Sequence, residues 1–216
     1  VKIMPVYKVQ FVIPEGSKTA DPGDRLSNIK LNITNKGNEP ATISVKLSST
    51  TNRNWVSISP STVSDLPPNE ATDLIATINV PNNALAGKVT FSFEATVTSD
   101  PSTPQANAIE GFDVDVNEEF EPELTVPSGT TTKEAEPGDT KTFTVKLKNI
   151  GNTLDGFDIE VTSSKSDWID FGFEGSDVTN PITSIDDMDV EDAKNIWVTI
   201  LVDVSASAGE VTFTLK

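Results

Sequence analysis

Two runs of carboxylates carry most of the chemical capacity of this sequence. The first, DVDVNEEFEPE at 113–123, holds Asp115, Glu118, Glu119 and Glu121; Asp21, Asp24, Glu136 and Asp139 sit on turns that a fold could bring near it. The second, DDMDVEDA at 186–193, holds Asp186, Asp187 and Asp189. Ca2+ takes six to eight oxygen ligands, gathered from several loops, so both runs are candidate cation sites. Neither has EF-hand spacing. The competing reading is that the first run lines a wet edge strand and the second a solvated loop. Paired carboxylates can also cleave glycosides as acid and base. Here they fall on turns and strand edges with no sign of an aromatic-lined pocket, so no catalytic residue is assigned and no enzyme is expected. The sequon Asn32-Ile33-Thr34 offers a glycosylation site at Asn32, which should point outward because Leu31 and Ile33 point in.

Composition narrows the rest. The chain has 216 residues, a net charge of −17, and neither cysteine nor histidine. Disulfides, thiolate chemistry and the commonest general base are therefore out. Phosphate contacts need clustered Lys and Arg, and the only arginines are Arg25 and Arg53, so nucleic acid is not a partner. No apolar run approaches the length of a membrane span, so no insertion is expected within this segment. No cofactor is expected to be required, and Ca2+ at the acidic runs is the one candidate.

The carboxylates need a frame, and an internal repeat of about 115 residues supplies it. DPGD at 21–24 matches EPGD at 136–139, and NKGN at 35–38 matches NIGN at 149–152. Ile29, Leu31 and Ile33 fall on Phe143, Val145 and Leu147, and Trp55 falls on Trp168. After an insertion of nine residues within 169–187, Leu74, Ala76, Ile78 and Val80 fall on Ile196, Val198, Ile200 and Val202. AGKVTF at 86–91 returns as AGEVTF at 208–213.

Each matched set alternates apolar with polar residues, the period of a strand with one wet face. Turn signals separate the sets about every ten residues, and no stretch has helical spacing. Parallel sheets would need crossovers that are absent. The expected fold is all-β: two tandem antiparallel β-sandwiches, at 1–118 and 119–216. Gly37 and Gly151 are expected to turn the chain through positive φ, with the flanking Asn bonding the turn. Trp55 and Trp168 are expected as core plugs.

The order Pro-Gly-Asp, N-x-G-N, Trp, LPPNEA (66–71) and VP…AGKVTF (80–91) resembles the immunoglobulin-like modules of prokaryotic surface and secreted proteins. The CARDB type and the NEW3 type, found beside some glycosidase domains, are the most similar. The resemblance implies an immunoglobulin-like sandwich, an extracellular location and a non-catalytic role as spacer, adhesion or lattice module. The second copy departs from the pattern where DVED (189–192) replaces PPNE, and in its end.

Copy one runs past AGKVTF to a further strand, GFDVDV (111–116), whose inward residues are Phe112, Val114 and Val116; copy two has no equivalent. It should have an unpaired sheet edge and an open slot in its core. Either the polypeptide continues, or another chain supplies the strand. The functional expectation is a structural module of a surface assembly, an archaeal S-layer or adhesin-like stalk by preference. Its partners would be neighbouring domains of one longer chain or identical subunits in an array. A donor-strand filament subunit and an accessory module of a secreted carbohydrate-active enzyme are the alternatives.

Overall fold

The computed structural model describes residues 1–49, 51–99, 106–127, 131–173 and 183–216. It is all-β, and among those residues the only helical segments are single 3-10 turns at Arg53–Trp55 and Ser166–Trp168. Two compact units divide the chain, Val1–Glu118 and Glu119–Lys216.

Among the described residues unit 1 holds nine strands: β1 (Val9–Val12), β2 (Ser17–Ala20), β3 (Arg25–Asn35), β4 (Ala41–Leu47), β5 (Val56–Ile58), β6 (Thr62–Leu66), β7 (Ala71–Asn79), β8 (Gly87–Val97) and β9 (Asn107–Val116). They form two sheets, β1-β3-β7-β5 and β2-β9-β8-β4-β6. Every pairing is antiparallel except β2 with β9, which is parallel. Between β1 and β2 the chain changes sheet at Gly16, whose φ of +44° suits glycine.

The alternation read from the sequence becomes the core. Ile29, Leu31 and Ile33 of β3 face Leu74, Ala76 and Ile78 of β7 and, across the sandwich, Ile43 and Val45 of β4, Phe91 and Phe93 of β8, and Phe112 and Val114 of β9. Trp55 joins them, its ring 5.9 Å from that of Phe91. It is the core plug expected of it.

Unit 2 holds β10 (Pro122–Thr125), β11 (Thr140–Asn149), β12 (Asp155–Asp158), β13 (Val161–Thr162), β14 (Ile169–Phe173), β15 (Ser184–Met188), β16 (Ala193–Leu201) and β17 (Thr214–Leu215). Its first sheet, β10-β11-β16-β14, reproduces β1-β3-β7-β5 in order and register. Leu31 pairs with Leu74 and its counterpart Val145 with Ile196; Phe11 pairs with Ile33 and its counterpart Leu124 with Leu147.

The second sheet is different. It is split into two two-stranded pieces, β12–β15 and β13–β17. Leu47 pairs with Phe93 in unit 1, and the counterparts Val161 and Leu215 keep that register, but β17 has two residues where β8 has eleven. Residues 131–135, which correspond to β2, form no strand. In unit 1, β9 is the sole strand partner of β2 and one of two for β8. Among the described residues of unit 2, no strand stands in the place of β9, and β17 pairs only with β13.

Two expectations need correction. Trp168 is only half-buried and lies outside the core cluster; Lys165 caps its ring, with Nζ 5.4 Å from the centroid. The aromatic partner of Trp55, Phe91, corresponds to Phe213, which is half-buried and outside any strand, and among the described side chains no aromatic ring faces Trp168. Gly37 and Gly151 also lack positive φ; the glycines that have it are Gly16, Gly23, Gly87 and Gly138. The reason for glycine at 37 and 151 is close approach, described below.

DVED does not disturb the turn. Asn69 and Glu191 occupy the same left-handed position, with φ of 64° and 70°, and each donates its N–H to the buried Asn of the N-x-G-N turn, Asn35 or Asn149. The PGD turns also coincide. Asp24 accepts the Asp21 N–H at 2.9 Å, and Asp139 accepts the Glu136 N–H at 3.0 Å.

Acid should act through a few carboxylates. The Glu136 N–H, then Lys141, holds the Asp139 carboxyl below its ordinary range. The Lys88 ammonium, then the Thr90 hydroxyl, does the same for Asp113 on the β8–β9 pair. The Asn107 amide, then Lys46, does so for Glu94. A carboxylate whose folded pKa lies below its unfolded value of about 4 contributes stability that is fully present above that value and is lost as pH falls through the folded one. Urea midpoints should therefore hold from neutral pH to about pH 5 and fall below about pH 4. In Asp113→Asn the fall should be shallower; an unchanged slope would remove Asp113 from the account.

Candidate functional site

Two local devices stand out from the residues upward. The first is the N-x-G-N turn that opens each unit. Asn35 is fully buried, and its amide donates to the carbonyls of Leu66 and Glu39, both at 2.8 Å, while its oxygen accepts the Gly37 N–H at 2.9 Å. Asn149 repeats this with Met188, Thr153 and Gly151 at 2.9, 2.8 and 3.0 Å. The first Asn thus pins the turn to the far side of the sandwich.

The glycine then makes room for the chain entering the unit. A Cβ at Gly37 would lie 2.2 Å from the Val6 carbonyl oxygen, and one at Gly151 would lie 2.2 Å from the Glu119 carbonyl oxygen. The second Asn holds that chain. Asn38 accepts the Val6 N–H at 2.7 Å and donates to the Met4 carbonyl at 3.0 Å; Asn152 accepts the Glu119 N–H at 2.7 Å. Main-chain bonds close the clasp: Asn38 N–H to Val6 and Lys36 N–H to Lys8, Asn152 N–H to Glu119 and Ile150 N–H to Glu121. The sequence showed the asparagines and glycines of this clasp and not its object, because the clasped segment is over thirty residues away.

The second device is a groove of about 150 Å³ in unit 2. Leu124, Leu147, Phe157, Ile159, Ile196 and Leu215 line it. Their counterparts in unit 1 are Phe11, Ile33, Ile43, Val45, Leu74 and Phe93, every one of them in the closed core. Leu124 is 39% exposed where Phe11 is 2% exposed. The strand that closes unit 1 is β9: Phe112 and Val114 are fully buried, Val116 is nearly so, and β1 packs against β9 across the sandwich.

The acidic residues do not build a comparable site. Asp115 lies exposed on β9, and Glu118, Glu119 and Glu121 are exposed between β9 and β10. Asp186 and Asp187 are on β15, Asp187 with a φ of 54°, and Asp189 opens the DVED turn. Among the described residues, no group of three or more acidic side chains is placed to hold one metal ion. Melting with and without EDTA tests the two expected cation sites: a clear drop, restored by Ca2+, would support them, and no shift would remove them. Part of the nine-residue insertion, 174–182, lies outside the described residues.

Asn32 is outward on β3, flanked by buried Leu31 and Ile33, but it is half-buried there and its amide donates to Asp73 at 2.9 Å. No helix among the described residues is long and apolar enough to cross a membrane.

No curated protein matches the sequence. Several solved structures are similar. A protein of unknown function from Porphyromonas gingivalis W83 is 14% identical with a TM-score of 0.36, covering 90% of this chain and 83% of that one. The cadherin domains 1–5 of protocadherin gamma B2 are 13% identical with a TM-score of 0.48, covering 98% and 36%. Domains 4 and 5 of the S-layer protein SbsC are 14% identical with a TM-score of 0.30, covering 53% and 54%. Residues 20–98, from the end of β2 to just past β8, match the family described as the NPCBM-associated, NEW3 domain of alpha-galactosidase, so that the likeness to NEW3 modules rests on the first unit of this chain.

Proposed function

We propose that the chain is a non-catalytic accessory module of a larger extracellular assembly, with an S-layer lattice or adhesin-like stalk as the setting. The observation that carries this reading is the clasp, built twice from the same Asn-x-Gly-Asn pattern. Each clasp ties the chain entering a sandwich to that sandwich by side-chain and main-chain bonds, which takes slack out of the entry. A spacer needs that, and no catalytic role uses it. The net charge of −17 keeps such a surface soluble and repels its like. The partners in this reading are further domains of the same polypeptide or identical subunits.

Antibodies against the chain should label intact source cells, and external protease should remove the label. Label that needs permeabilised cells would overturn the reading.

The NEW3 match favours a second reading, an accessory module beside a secreted carbohydrate-active catalytic domain. Sugar rings stack on exposed aromatics, and among the described aromatic side chains only Phe120 is exposed. Titration with oligosaccharides, followed by tryptophan fluorescence, should leave the half-buried Trp168 and Trp197 unchanged. Saturable quenching would favour the second reading over the first.

A further inference from the structure

We infer that the groove of unit 2 accepts an extended strand, apolar at alternate inward positions and basic at the outward position opposite Glu210. The inference rests on the reading of the chain as a module joined to others, and it names what the joint is made of.

The inward chemistry follows from unit 1. There the same place is filled by β9, whose Phe112, Val114 and Val116 alternate inward at 0%, 0% and 4% exposure. The groove residues of unit 2 occupy the same registers as the unit 1 residues that β9 helps to cover. Its receiving edge begins at β17, Thr214–Leu215, and the stretch opposite the inward positions, 209–213, forms no strand in this structure. β17 pairs with β13 on one side, and among the described residues no strand pairs with its other side. An extended peptide adds to such an edge through main-chain bonds, with alternate side chains entering pockets.

The outward chemistry comes from a charge reversal between the copies. In β8, Lys88 stands opposite Asp115 and binds Asp113 at 2.6 Å. Its counterpart in AGEVTF is Glu210. A strand with acids at those two positions would meet a like charge, whereas a lysine there would restore the pair. Surface pairs of this kind set partner choice more than affinity.

The first residues of the chain have this chemistry. The clasps give the alignment, because Asn38 holds Val6 as Asn152 holds Glu119. That places Val1, Lys2 and Ile3 at the positions of Val114, Asp115 and Val116. Val1 and Ile3 are among the most exposed apolar side chains of unit 1, although their counterparts are buried. Lys2 falls at the position that faces Glu210. Hydrophobic alternation and charge reversal thus match the groove of unit 2 from two independent directions.

The test uses the full chain and two labelled peptides. One has the sequence of residues 107–117, NAIEGFDVDVN. The other has lysine at both aspartate positions, NAIEGFKVKVN. In anisotropy titrations the lysine peptide should bind saturably, and about threefold more tightly than the acidic one, the worth of an exposed charge pair. Glu210→Lys should reverse the preference, which the overall negative charge of the protein cannot do. Aspartate in place of the peptide's phenylalanine should weaken binding at least about tenfold, the transfer free energy of one buried aromatic. Hydrogen exchange should slow at 211–216 and 161–162 on binding.

Absence of saturable binding, an unchanged preference in Glu210→Lys, or protection gained only in unit 1 would each overturn the inference. So would self-association of the chain that slows exchange at 211–216 and 161–162 while no peptide binds, which would give the groove to a second copy. Surface labelling of cells is independent of all four outcomes, so the joint can fail while the module reading stands.

Discussion

Asn35→Ala should cost unit 1 about 2–6 kcal/mol, more than an exposed asparagine could. The side chain is fully buried and makes three hydrogen bonds, of which those to the Leu66 carbonyl and the Gly37 N–H are themselves buried. Alanine offers neither a donor nor an acceptor, and each buried group left without a partner costs about 1–3 kcal/mol. The third bond, to Glu39, is near the surface, where water can replace it. Asn149→Ala should have the same effect on unit 2, where the bonds to Met188 and Gly151 are the buried ones. Because unit 2 has the smaller core, that variant should approach the loss of its native state under conditions where wild type is folded. Denaturant melts read by tryptophan fluorescence would measure both. A cost under about 1 kcal/mol, the net worth of a single typical hydrogen bond, would show that the turn relaxes to water and is not pinned. Gly151→Ala probes the same clasp from outside: its Cβ would meet a backbone oxygen at 2.2 Å, whereas the nearest atom to a Cβ at Gly156 is 3.4 Å away. The first substitution should therefore destabilise by about 1–3 kcal/mol and the second far less.

Strands and their facing sides were visible in the sequence because a period of two translates directly into burial. Ile29, Leu31 and Ile33, or Leu74, Ala76 and Ile78, read the same in the string and in the core. The repeat extended that reading to registers, since two copies of a strand must find equivalent partners. Met188 at the place of Leu66 shows this: both are buried and both offer their carbonyl to the turn asparagine. What the string hid was long range. Gly37 looked like a residue chosen for its own dihedral angle, yet its constraint comes from Val6 passing 31 residues away in sequence. Trp168 looked like Trp55 because their local contexts match, but burial of an indole depends on the strand opposite, and there the copies differ. The acidic runs show a third limit. Of the candidate carboxylates in the first run only Asp115 lies on a strand, and Glu118, Glu119 and Glu121 lie exposed beyond it, so spacing along the chain does not say which carboxylates converge. The groove lies where the two copies differ, and the shared clasp sets Val1 and Ile3 at the positions of the buried Val114 and Val116 of β9, a correspondence with no signature in the string.

Unfolding of this chain should proceed in two transitions, and Phe112→Ala should move only the upper one. Twenty-five buried apolar residues form the core of unit 1, and eight form that of unit 2 among the described residues. Stability is a small difference between burial and chain entropy, so the unit with fewer buried side chains and a divided sheet should unfold first. Tryptophan reports on both, because Trp55 belongs to unit 1 and Trp168 and Trp197 to unit 2. Phe112 is fully buried opposite Phe91 in the β8–β9 register. Removing a core phenylalanine costs about 3–5 kcal/mol, through lost transfer energy and the cavity left behind. That is a large share of the ~5–15 kcal/mol of an ordinary domain. The upper transition should therefore fall toward the lower one while the lower stays in place. A single coincident transition in wild type, or a shift of the lower one in Phe112→Ala, would refute the assignment. The consequence reaches past unit 1. If one side chain of β9 is worth so much where the strand is present, a strand seated in the groove of unit 2 should raise the lower transition, and unit 2 would owe its stability to whatever it is joined to.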